Sequence, residues 1–138
     1  VTPIALEEPG GSRTVLAACN YFAAELIRIC DRILGHPAGT CFHVLTVLRG
    51  TGQLSYGPSL DSVLSLSAGD SVLVPAGISE YEVRAEEDLL EVVRAWVPDL
   101  LQEIVTPLRQ RGVAWERIVQ LGGEPRNSDL ARYIGEPE

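Results

Sequence analysis

The sequence predicts a mostly β domain, an antiparallel barrel or two-sheet sandwich, with a short helical appendage at its C-terminal end. Three observations carry this expectation. From Thr40 to Val97, short β-branched runs are separated by turn residues at intervals of roughly 8–12 residues. At Pro98 the apolar pattern changes from strand to helix spacing. At 138 residues and 46% hydrophobic content, one domain can bury roughly 68% of its unfolded surface without a metal or disulfide staple.

The β runs follow in order. Thr40 to Arg49 is closed by Gly50-Thr51-Gly52, and Gln53 to Tyr56 by Gly57-Pro58-Ser59. Val63 to Leu66 ends at Ala68-Gly69-Asp70, and Ser71 to Val74 at Pro75-Ala76-Gly77. Tyr81 to Ala85 ends at the acidic turn Glu86-Glu87-Asp88, and Leu89 to Val97 ends at Pro98. Each breaker has a mechanism: Gly supplies positive φ, Pro cannot donate to a ladder, and Asp bonds its own backbone in turns. Ala17 to Ile29 reads either as a helix by its Ala content or as a buried strand by its Tyr, Phe and Ile.

After Pro98, Asp99 is a good N-cap for Leu100 to Val105. Thr106-Pro107 restarts the helix with Pro at its first position, and Gly112 stops it. Ala114 to Leu121 places Trp115, Ile118 and Val119 on one side and ends at Gly122-Gly123. Asn127 or Ser128 caps a last short helix, Asp129 to Ile134. The expected division is therefore a β domain over 1–98 and a helical tail over 99–138, packed on the β part or on a partner subunit.

Composition narrows the function. The formal charge is −8, and all 11 basic residues are Arg. Such a balance argues against a nucleic-acid backbone partner, which needs clustered cations. No apolar stretch reaches the 18 or more residues of a membrane span. Cys19, Cys30 and Cys41 form no C-x-x-C pair and are odd in number, so reduced thiols in a cytoplasmic protein are expected.

Gly69-Asp70-Ser71-Val72-Leu73-Val74-Pro75-Ala76-Gly77 fits G-x5-P-x-G, which resembles the second signature of the cupin superfamily. The run Phe42 to Gly52 resembles the end of the first signature, a strand leading into a Gly-x-Gly hairpin. Cys19-Asn20-Tyr21-Phe22-Ala23, then Cys41 to Gly50, then Gly69 to Gly77, taken in order, resemble the C-terminal cupin domain of type I mannose-6-phosphate isomerases. This resemblance spans Arg13 to Pro98. It implies a cupin-type antiparallel jelly roll (a double-stranded β-helix) and a strand at Ala17 to Ile29. It also implies a non-catalytic companion domain, since in that family the zinc and the isomerase chemistry belong to a more N-terminal cupin half.

Metal-binding cupins place two His and a Glu from the first signature and a His from the second in the barrel mouth. Here the second-signature His position is Glu80, and the first-signature Glu position is His43. At most His36, His43 and Glu80 could converge, so no metal and no cofactor is expected. No catalytic residue is assigned. There is no G-x-S-x-G elbow and no phosphate-cradling G-x-x-x-x-G-K-[ST], and Cys41 and His43 on one strand face are poorly placed as nucleophile and base.

By strand parity, Cys41, His43, Leu45, Val47 and Arg49 would line the cup, joined by Glu80 and by Glu82 or Arg84. The candidate ligand-binding residues are thus Cys41, His43, Arg49, Glu80 and Arg84. The expected function is a metal-free, structural or regulatory cupin domain of carbohydrate metabolism. One alternative is a free-standing domain that binds a sugar or sugar phosphate; a second is a cupin fused to a helix-turn-helix-like tail. The apolar residues Trp115, Ile118, Leu121, Leu130, Tyr133 and Ile134 favour a homodimer, or a contact with a catalytic cupin domain, over DNA as the tail's partner.

Overall fold

The computed structural model describes residues 2–37 and 41–134. Thr40, the expected start of a β run, and the end of the tail lie outside these residues. Among the described residues, ten strands form two antiparallel sheets: β1 (Ile4–Glu8), β2 (Gly11–Ala18), β3 (Ala23–Ile29), β4 (Arg32–Gly35), β5 (His43–Arg49), β6 (Thr51–Tyr56), β7 (Ser62–Ser67), β8 (Ser71–Val74), β9 (Tyr81–Ala85) and β10 (Leu90–Trp96). The larger sheet runs β1-β2-β3-β10-β5-β8 and the smaller β4-β9-β6-β7. They face each other as a jelly roll and do not close into a barrel.

Cross-strand register explains how the inner face of the large sheet is shared. Ile4 pairs with Val15, Val15 with Glu25 and Glu25 with Arg94, while Ala23 pairs with Trp96. All these side chains therefore point to one face, and two covers divide it. The small sheet brings Leu54, Leu66, Tyr81 and Val83 against Ile27, Ile29, Leu45, Val47 and Val92. The tail covers the rest: Leu100, Ile104, Val105, Leu108, Ile118, Leu121 and Leu130 pack on Ile4, Leu6, Val15, Ala18, Ala23 and Trp96. The tail's apolar residues are thus largely buried within the chain, Ile134 remaining exposed.

The turn chemistry of Gly69-Asp70 is visible directly. Gly69 has φ +95°, and Asp70 Oδ2 accepts from Ser67 N at 2.9 Å. The same turn is zipped to β5, with Gly69 N donating to Val47 O at 2.9 Å and Val47 N to Asp70 O at 2.8 Å.

The stretch Ala17 to Ile29 differs from the single strand the resemblance implies. β2 ends at Ala18 and β3 begins at Ala23, and Cys19 N donates to Phe22 O at 2.8 Å across the hairpin turn. Tyr21 and Phe22, strand formers by composition, are exposed at its tip. β1, most of β2 and β4 have no sequence assignment; each is a short run set beside turn residues such as Glu8-Pro9-Gly10.

In the tail, Leu100–Val105 is a π-helical segment capped by Asp99, whose side chain accepts from Gln102 N. It continues into α1 (Thr106–Gln110), and α2 (Trp115–Val119) follows. Ser128 caps the 3₁₀ segment Asp129–Tyr133 through Leu130 N. No helix among the described residues is long and apolar enough to cross a membrane, and all three cysteines are free.

Candidate functional site

A polar seam crosses the inner face where the two covers meet. Its centre is Arg94 on β10, directly opposite Glu25 on β3. Arg94 Nε donates to Glu25 Oε1 at 2.8 Å, and Nη2 contacts the same oxygen. Glu25 is 1% exposed, so the arginine is what makes its burial tolerable. Arg94 Nη1 also donates to the Tyr81 hydroxyl at 3.3 Å. That hydroxyl lies 2.8 Å from His43 Nδ1. Arg13 completes the row: Nη1 is 3.5 Å from Glu25 Oε2 and Nη2 is 3.2 Å from Glu8 Oε1.

Each residue is aimed by strand alternation. His43, Leu45 and Val47 are the buried positions of β5; Tyr81 and Val83 are those of β9. The His43 ring meets Tyr81 edge-on, with centroids 5.6 Å apart, and Trp96 at 6.0 Å. Trp96 Nε1 donates to Glu103 Oε2 at 3.1 Å, and Asp99 N donates to Glu103 Oε1 at 2.8 Å. Glu103 therefore ties the tail to one wall of the seam.

The seam opens as a cleft of two adjoining cavities. A cavity of about 460 Å³ is lined by Glu8, Ser12, Arg13, Ile27, Arg32 and Arg94, among others. A smaller one of about 290 Å³ is lined by Arg13, Leu34, His36, His43, Arg94, Trp96 and Glu103. Arg13, Leu34 and Arg94 line both.

Burial, then Arg94 and His36, lowers the His43 pKa to about 4, so the imidazole is neutral at physiological pH. Burial raises the Tyr81 hydroxyl above its ordinary value against the pull of Arg94. Burial draws the Arg94 pKa down, but Glu25 and Tyr81 outweigh it and the net movement is upward. The seam thus holds a buried carboxylate, Glu25, paired to Arg94 and Arg13, beside a neutral phenol and a neutral imidazole.

Of the candidates read from the sequence, His43 and His36 meet at the smaller cavity. Cys41 is half-buried against the tail core, and its Sγ donates to Val97 O at 3.3 Å. Arg49 is exposed at the end of β5. Glu80, half-buried before β9, lines neither cavity. Arg84 sits on the outer face of β9, 3.4 Å from Glu82. The strand parity that aims His43, Leu45 and Val47 inward does not extend to Arg49. Among the described residues, no group of three or more His, Cys, Asp or Glu is placed to hold a metal ion. Sequence reasoning missed Glu25, Arg94, Tyr81, Arg13 and Trp96. For Glu25 and Arg94 a signal existed: each is a lone charge at the apolar parity of its strand, Ala23/Ile27/Ile29 and Leu90/Val92/Trp96 respectively.

Two facing antiparallel sheets, the Gly-Asp turn and the Pro-x-Gly bend together make this a cupin fold. Among solved structures it resembles a cupin-2 domain protein from Shewanella frigidimarina (21% identity, TM-score 0.50, covering 68% of this chain and 78% of that one). It also resembles KdgF from a Halomonas species (20% identity, TM-score 0.54, covering 66% and 82%). A third likeness is to the mannose 6-phosphate isomerase of Bacillus subtilis (18% identity, TM-score 0.56), where 68% of this chain matches 28% of that enzyme. These likenesses are of fold. No protein-family model and no curated protein matches the sequence.

Proposed function

We propose that this is a metal-free, non-catalytic cupin domain whose inner cleft binds a small polar molecule of sugar size. The observation that carries this is the buried Arg94 guanidinium at the centre of the cup, fixed by Glu25 and Tyr81. A divalent cation fits these residues poorly. The one buried imidazole has its Nδ1 engaged by Tyr81, and a fixed positive charge beside it opposes a second cation. Polar groups converging on a concave, partly apolar cleft are instead what a small-molecule site requires. The setting we propose is cytoplasmic carbohydrate metabolism, with the chain acting as a homodimer or beside a catalytic cupin domain. The match to 28% of an isomerase favours the second arrangement as a structural role.

The experiment is a thermal-shift panel of sugars, sugar phosphates and sugar acids, run beside calorimetric titration with Mn²⁺, Fe²⁺, Ni²⁺ and Zn²⁺. A bound ligand at a hundred times its dissociation constant stabilises by about 2.7 kcal/mol. One of these sugars should shift the transition, and no metal should bind stoichiometrically. Stoichiometric metal binding lost in His43→Ala would sink the metal-free reading; no shift with any sugar would sink the ligand-binding one.

A further inference from the structure

We propose that the outer face of the large sheet is an interface between two copies of this chain, laid face to face about a twofold axis. Of the two arrangements given for the domain, this takes the homodimer. The cleft's ligand plays no part in it, so its failure leaves the reading of the cleft untouched.

Register defines what this face carries. Ala23, Glu25, Arg94 and Trp96 point inward, so strand alternation sends Ala24, Leu26, Val93 and Ala95 outward. Cross-strand neighbours extend these two rows over the sheet: Ala17 and Thr14 on β2, Val44 and Thr46 on β5, Leu73 and Ser71 on β8. One row nearer the β2–β3 hairpin tip, Phe22, Val97 and Phe42 adjoin the buried Ala23, Trp96 and His43 in the chain. These three and Leu73 are each about half exposed. In a chain that is 22% charged, the three rows contain no charged residue. The first charges lie one row beyond Leu26 and Val93, where Arg28 and Glu91 face each other as an ion pair at 3.5 Å.

An antiparallel sheet with one solvated face turns apolar residues inward and polar ones outward. The small sheet obeys this, with Gln53, Ser55, Glu82 and Arg84 on its outer side. The large sheet does not: three hydroxyls are the polar groups in these rows. Two of them, Thr46 and Ser71, hydrogen-bond each other at 3.2 Å, so a partner covers them at less cost than lone hydroxyls. The tail is not the cover, because its apolar residues are spent on the inner face.

Charge and area name the occupant. With a net charge of −8, two copies repel unless their contact keeps like charges apart. An isologous contact lays one patch on itself, which a charge-free patch permits; a heterologous partner can instead meet charges with complementary ones. The five strands β2, β3, β10, β5 and β8 at about 4.8 Å, and four rows at about 6.8 Å, the last that of Arg28 and Glu91, cover about 650 Å². Specific interfaces use about 600–1,000 Å² per partner. An apolar centre with an ion pair at the rim is ordinary interface anatomy, and two twisted sheets pack face to face at about −30°.

The test is sedimentation equilibrium of the full chain over a dilution series. The chain should form a dimer that dissociates on dilution, and added salt should tighten it by screening the repulsion between two acidic copies. Leu73→Glu and Val97→Glu change exposed positions, where folding stability is little affected, and native thermal unfolding is checked for each. Each should raise the dissociation constant by about 100-fold, tenfold for the carboxylate buried in each copy. Val63→Glu, the same change at an exposed position on β7 of the small sheet, should leave it unaltered. A chain monomeric at every concentration overturns the second copy as occupant. A dimer that survives both Leu73→Glu and Val97→Glu, or that Val63→Glu breaks, overturns the choice of face. A dimer loosened by salt overturns the charge-free contact.

Discussion

His43 Nδ1 lies 2.8 Å from the hydroxyl of Tyr81, and this bond joins β5 of the large sheet to β9 of the small one across the interior. The same hydroxyl accepts from Arg94, so one oxygen serves two buried partners on different strands. Tyr81→Phe leaves both without it. A buried hydrogen-bonding group left unpaired costs about 1–3 kcal/mol, and urea denaturation should show a loss of that size with an unchanged m-value. A loss below about 0.5 kcal/mol would mean that water replaces the hydroxyl.

His43 should make stability depend on pH over a defined window. Its folded pKa is lowered to about 4 from 6.5, so between these values the unfolded chain binds a proton that the folded chain does not. Stability from this group is complete above about pH 6.5 and falls as pH drops toward 4, at a limiting slope of about 1.4 kcal/mol per pH unit. The groups facing it are Arg94, Tyr81, Trp96 and His36. His43→Gln should flatten the stability profile between pH 4 and 6.5. An identical slope in that variant would assign the dependence to other groups.

Arg94 and Glu25 should be strongly coupled. Arg94→Met leaves a carboxylate that is 1% exposed with only the 3.5 Å ion pair to Arg13, and the expected loss is up to about 3–5 kcal/mol. Glu25→Leu strands the guanidinium in turn. The double variant should be less destabilised than the sum of the two, because its apolar side chains need no partner. Additive losses in a double-mutant cycle would show that the two charges are independently solvated.

Gly35 is required by space. A Cβ built there would lie 2.2 Å from the Tyr81 ring, against backbone at the end of β4 paired to Tyr81 itself. Gly35→Ala must displace the ring, costing about 1–3 kcal/mol by overpacking, and should also perturb the His43 ring signals. A variant with native stability and unchanged His43 signals would contradict this packing.

The tail should be energetically part of the domain. Leu130 is fully buried among tail and β-sheet residues, and Leu130→Ala should cost about 2–5 kcal/mol in one cooperative transition. A separate early transition would show that the tail unfolds independently of the sheets.

From His43 to Trp96 the strands are legible because turns with fixed chemistry, such as Gly69-Asp70 and Pro75-Ala76-Gly77, bound short alternating runs. The tail is legible through its caps: Asp99 accepts from Gln102 N, and Ser128, one of the two candidates for the last cap, accepts from Leu130 N. β2 and β3 merged in the sequence because the hairpin tip Cys19–Phe22 lacks Gly and Pro. The candidate site was legible only in part. His43 is aimed by alternation, but Arg49 lies at the exposed end of β5 and Arg84 faces outward from β9.

By itself, the sequence determined a mostly β domain of short antiparallel strands, a helical tail and a count of two histidines, because period, turn residues and composition are local properties; the jelly roll came from the resemblance of its motifs to cupins. Only the tertiary structure decided what occupies the cup. Arg13, Glu25, Arg94, His43 and Tyr81 come from five strands, and four of them, all but Tyr81, lie on one sheet face that two different covers leave between them. Isolated charges in separate apolar runs become a relay only when register sets Glu25 opposite Arg94 and brings Tyr81 across from the other sheet. That pairing is non-local, and it separates the chain's two histidines into one exposed side chain, His36, and one buried against Tyr81, His43.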